Sequence, residues 1–79
     1  MISKKAKRRH QPYYKFRTLL KEKGIKQDEV AKLLGKTVSA LNQNINGTGG
    51  DFSVSEVRLI CITYNISADE FFINNMVSN

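Results

Sequence analysis

Apolar residues recur along the chain at three- and four-residue intervals, the period of helices with one buried face. Tyr13, Phe16, Leu19 and Leu20 outline a first helix that opens with Pro12 in its first turn, runs to Lys23 and stops at Gly24. Val30, Ala31 and Leu34 share one face of a second helix beginning at Gln27, with Asp28 and Glu29 in its first turn, where the helix dipole favours acids. Gly35 ends it. Thr37 is placed to N-cap a third helix, with Val38, Leu41 and Ile45 on one side and Ser39, Asn42, Gln43 and Asn46 on the other. The run NGTGGD, residues 46–51, reads as a loop. Ser53 and Glu56 form a capping box for a fourth helix through Tyr64, facing inward with Val57, Ile60, Cys61 and Tyr64 and closed by Asn65. Ser67 and Glu70 repeat the box for a short fifth helix reaching about Ile73. No strand-like alternation and no internal repeat competes, so the fold class expected is all-α with five helices. The expected domain lies at residues 12–73, between an arm at 1–11 and a tail at 74–79.

Seventy-nine residues support one small core and little depth for an enzymatic cleft. One cysteine excludes a disulfide framework and is too few for a thiolate zinc site, and Cys61 on an inner helix face reads as a small core residue. No apolar run approaches the roughly 18 residues of a membrane span, and no hydrophobic stretch follows the basic N-terminus as in a signal peptide. A cytoplasmic, nucleoid-associated address is therefore expected. His10 lacks a second ligand at metal-binding spacing and is read as solvated at the end of the arm. The carboxylate pairs Asp28-Glu29 and Asp69-Glu70 sit in helix first turns. No catalytic constellation, metal, cofactor or small-molecule ligand is expected.

Charge separates the chain into halves. Residues 1–36 hold twelve Lys and Arg against three acids, a net of +9; residues 37–79 hold Arg58 against four acids, a net of −3. Such polarity suits a polyanion approached from one side. Five of the cations, Lys4, Lys5, Lys7, Arg8 and Arg9, fall in the arm, which has almost nothing to bury and is expected to order on meeting a partner.

The block QDEVAKLLGKTVSALNQNING, residues 27–47, meets the requirements of two helices joined by a tight turn: small Ala31 at the crossing, Gly35 at the turn, Leu41 locking the second helix onto the first. With Gln27, Ala31, Gly35, Leu41 and Asn46-Gly47 in these places, the chain resembles the Cro/phage-repressor (XRE-type) helix-turn-helix family from about Phe16 to Phe72. The segment FSVSEVRLICITYNISADEFF resembles a subgroup found in phage-derived regulators of Gram-positive bacteria. The family usually has an aliphatic residue after the turn glycine, where this chain has Lys36. Many relatives also carry a cation on the recognition helix, where residues 38–46 have none.

The resemblance implies a compact lambda-repressor-like domain whose third helix enters the major groove of double-stranded DNA. Asn and Gln pair bidentately with adenine, so Ser39, Asn42 and Gln43, with Val38 against a thymine methyl, point to an A·T-rich operator. Gln27 and Asn46 are implied as backbone contacts, with Lys26, Lys36 and Thr37 near the groove edge and the basic arm embracing the duplex. Leu59, Ile62 and the Phe72 region, followed by Met76 and Val77, are expected to form a homodimer interface. The reading is a Cro-like repressor that occludes a promoter, with no further domain expected in so short a chain. The alternative is a protein-binding module on the same fold, such as an antitoxin or a phage-encoded inhibitor of a host protein.

Overall fold

The computed structural model describes residues 9–74. Lys4, Lys5, Lys7 and Arg8, and likewise Met76 and Val77, lie outside them. Among the described residues four α-helices follow in order, α1 (Tyr14–Lys23), α2 (Gln27–Leu34), α3 (Val38–Asn46) and α4 (Val54–Tyr64), and a one-turn π-helix at Asp69–Ile73 is the fifth helix. No strand occurs among the described residues.

Local chemistry sets the boundaries. Gly24, Gly35 and Gly47 all adopt left-handed conformations after α1, α2 and α3, and Asn65, with φ 54°, does so after α4. Thr37 Oγ1 accepts from Ala40 N at 3.0 Å, capping α3. Ser53 and Glu56 complete a reciprocal box at the start of α4. Two expectations shift. Pro12 precedes the N-cap residue Tyr13 instead of occupying the first turn of α1. The fifth helix is a single widened turn: Asn74 N–H donates to Asp69 O, five residues back, at 2.7 Å, while Ser67 Oγ receives Glu70 N–H at 3.2 Å.

The core joins Phe16, Leu19 and Leu20 of α1, Val30 and Ala31 of α2, Leu41 and Ile45 of α3, and Ile60 of α4, with Phe52 and Phe72 completing it. The rings of Phe16 and Phe52 meet edge-on at 6.2 Å, those of Phe52 and Phe72 at 5.6 Å, and Tyr13 lies 5.3 Å from Phe72. Phe72 was expected in an exposed interface; it is 7% exposed and belongs to the core. The widened turn carries it inward and leaves Ile73 outside.

Candidate nucleic-acid interface

The turn between α2 and α3 positions the interface. Lys36 N–H donates to Ala31 O at 3.0 Å and Gly35 N–H to Lys32 O at 3.2 Å, the paired bonds of a Schellman stop. With Ala31 buried at the crossing, this turn presents α3 with Leu41 and Ile45 fully buried and Ser39, Asn42 and Gln43 exposed. Val38, expected on both the inner stripe and the base-reading face, is 45% exposed and stands only with the latter.

The polar side chains around this face form a connected set. Asn42 Nδ2 donates to Gln27 Oε1 at 3.4 Å, joining α3 to the first residue of α2. Asn46 Nδ2 donates to Asn42 Oδ1 at 2.9 Å, and Arg17 donates to Asn46 Oδ1 at 2.8 Å. The Arg17 guanidinium also lies over the Tyr14 ring, 5.7 Å from its centre. Nothing in the sequence singled out Arg17. Its spacing toward α3 is set by the fold, and its only sequence signal was a cation on the outer side of the first helix. Lys26 stands exposed at the N-cap of α2.

Lys36 departs from expectation. Its ammonium is turned inward, 2.8 Å from Glu56 Oε2, 2.6 Å from Asn44 Oδ1 and 5.5 Å from the centre of the Phe52 ring. It is thus committed to the protein rather than available at the groove edge. Asn44, 6% exposed, returns its amide to Gly50 O at 2.7 Å, so both ends of a buried carboxamide are satisfied. Burial acts to raise the Glu56 carboxyl, but bonds from Lys36 and from the Ser53 backbone and side chain outweigh it and hold it below the ordinary range.

The N-terminal segment also differs from a free arm at its inner end. Arg9 N–H and His10 N–H both point at Gly47 O, and Tyr13 N–H donates to Ile45 O at 2.8 Å, so residues 9–13 take up carbonyls left open at the end of α3. His10 is half-buried rather than solvated: its ring lies 5.3 Å from that of Tyr13, with Nε2 3.3 Å from Gly50 O. The Tyr13 hydroxyl donates to Asp51, and burial followed by that carboxylate raises its pKa. Residues 9 and 10 therefore lie beside the C-terminal end of α3.

On α4, Leu59 is 40% exposed and Ile62 73% exposed. Cys61 is half-buried, and burial raises its thiol pKa. Among the described residues, no helix is long and apolar enough to cross a membrane, and no three His, Cys, Asp or Glu side chains gather as a metal site.

Compared with known proteins, the chain finds no match among curated proteins or solved structures. A family model described as Helix-turn-helix matches residues 16–71, from the first core aromatic of α1 into the closing turn. It spans the α2–turn–α3 unit together with the helices that pack it. The chain belongs to the XRE-type helix-turn-helix family of DNA-binding domains.

Proposed function

We propose that the protein is a sequence-specific transcriptional regulator, a Cro-like repressor of phage or mobile-element origin that occludes a promoter. The observation that carries this reading is the exposed face of Ser39, Asn42 and Gln43 on the second helix of the motif, flanked by the basic half of the chain. α3 enters the major groove and α2 crosses the backbone. Gln43 and Ser39 select bases and Val38 meets a thymine methyl, which favours an A·T-rich operator. Gln27, Lys26, Thr37, Asn46 and the positive end of α2 hold phosphates. The arm, leaving from beside the end of α3, adds sequence-independent hold. Lys36 has no part in this contact. Two copies pair through Leu59 and Ile62 of α4, bringing their recognition helices about one DNA turn apart.

Selection of bound duplexes from a random pool, followed by titration of the selected duplex against salt, tests the reading. The expected result is an A·T-rich, two-fold symmetric site. Neutralising about six phosphates gives a log–log slope near −5. Weak binding without sequence preference would favour the protein-binding alternative.

A further inference from the structure

We infer that Asn42 is a positioning residue rather than a base reader, and that Arg17 is a phosphate contact which Asn42 couples to Gln27. The inference rests on the DNA-binding reading above and divides labour within its interface.

Bidentate reading of adenine uses both ends of one carboxamide. Both ends of Asn42 are already occupied: its NH2 donates to Gln27 and its oxygen accepts from Asn46. One N–H and one lone pair are thereby used, and the carboxamide plane is fixed between the start of α2 and the end of α3, so turning it toward a base edge would strain both bonds. Gln43, one residue along the same face, is placed differently. Among the described residues its carboxamide makes no side-chain hydrogen bond. Its stem and carboxamide oxygen lie beside the loop backbone, so closely that a Cβ on Gly49 would come within 2.6 Å of Gln43 Oε1 and 2.8 Å of Gln43 Cβ. An exposed residue whose carboxamide has no side-chain hydrogen bond to give up suits a reader; one bonded at both ends suits a strut.

The strut lies within a relay that crosses three helices: Arg17 on α1, Asn46 and Asn42 on α3, Gln27 on α2. Arg17 has five N–H donors. One is spent on Asn46, and the ring of Tyr14 supports the guanidinium from the side. The remaining donors, carried on a cation beside the recognition helix, fit a phosphate oxygen. Gln27, at the other end, opens α2, where backbone N–H groups also favour an anion. Asn42 therefore fixes the spacing between two phosphate-binding groups. Phosphate spacing is a property of duplex shape, so the relay senses geometry, while Gln43 and Ser39 sense base identity.

The test uses the full chain and the duplex that the wild type selects from a random pool. Asn42→Ala is expected to select the same sequence and bind it about five-fold more weakly, the scale of one lost net hydrogen bond. Arg17→Ala is expected to weaken binding by a similar factor and to reduce the salt slope by about one. Gln43→Ala is expected to change the preferred base at one position. The double variant Arg17→Ala/Asn42→Ala should lose less than the product of the single losses, because the second cut falls on a relay already broken; a merely structural role would leave the two losses independent. A changed base preference in Asn42→Ala, an unchanged affinity and slope in Arg17→Ala, or fully multiplicative losses would each overturn the relay. A wild type that selects no sequence would instead bring down the DNA-binding reading, and the relay with it.

Discussion

A Cβ placed on Gly47 would lie 2.2 Å from the carbonyl oxygen of His10, although the two residues stand far apart in sequence. The glycine that ends α3 is also the surface on which residues 9 and 10 lie. Its φ of 79° already disfavours a side chain, and Gly24, with φ 67° but nothing within 4 Å of its added Cβ, supplies the control. Gly24→Ala should cost about 1 kcal/mol for the left-handed backbone alone. Gly47→Ala should cost roughly 1–2 kcal/mol more, because residues 9 and 10 must also leave the end of α3 and give up their bonds to Gly47 O. Urea denaturation of both variants reads the difference. Equal losses would show that the docked segment contributes nothing to stability.

The buried side of the turn makes stability depend on pH. Glu56 is held below its ordinary value of 4.5 by the Lys36 ammonium and the Ser53 groups, against the opposing effect of burial. A carboxyl whose folded pKa is depressed binds protons more readily when unfolded. Its stabilisation is complete above the ordinary value and is lost as pH falls through the lower, folded one. The urea midpoint should therefore fall on acidification through that window. Glu56→Gln keeps an oxygen for the Ser53 N–H but removes the charge facing Lys36. It should cost roughly 1–2 kcal/mol at neutral pH and flatten the acid limb. An unchanged acid limb would assign it to other carboxylates.

Which features could be read from the sequence follows the range of the interactions. Caps and stops act over three or four residues, so Thr37, Ser53-Glu56, Gly24, Gly35 and Asn65 marked the helix ends through chemistry their neighbours already contain. The α2–turn–α3 unit was legible for the same reason. Lys36, Asn44 and Glu56 were not legible together: a lysine and an asparagine carry no periodic signal for burial, and their closure through Glu56 and Gly50 exists only once α4 has packed. The relay from Arg17 to Gln27 failed to show because its first and last members lie on different helices, whereas the exposure of Ser39, Asn42 and Gln43 followed from a helical wheel. Phe72 was misplaced because it was grouped with the apolar residues of the tail, whereas its packing on Tyr13, Phe16 and Phe52 joins segments far apart in sequence and exists only once the last turn docks on α1.

The exchange of roles between Phe72 and its neighbours gives a stability test. Phe72 packs against the rings of Phe16, Tyr13 and Phe52, so Phe72→Ala should cost about 3–4 kcal/mol, a large share of the stability of so small a domain. Ile62→Glu, on the exposed side of α4, should leave monomer stability within about 0.5 kcal/mol and weaken self-association. Urea denaturation at low concentration and sedimentation across a concentration series separate the two effects. Self-association unchanged by Ile62→Glu, or a wild type that stays monomeric at tens of micromolar and binds a single half-site, would remove α4 as the dimer surface.

Removing residues 1–8 separates adhesion from choice. Those residues contribute Lys4, Lys5, Lys7 and Arg8, and the deletion spares Arg9, whose backbone is bonded to Gly47 O. Phosphate contacts act alike on all sequences and release counterions, while base contacts discriminate. The shortened chain should select the same sites as the full one and lose affinity for specific and non-specific duplexes by the same factor. Its log–log salt slope should fall by about one for each phosphate that the arm no longer neutralises. A shift in the preferred sequence, above all at positions flanking the half-site, would instead mean that the arm reads the minor groove directly. Comparing the two selected pools at matched salt distinguishes these outcomes, because a purely electrostatic arm changes how tightly the operator is held and leaves its sequence unchanged.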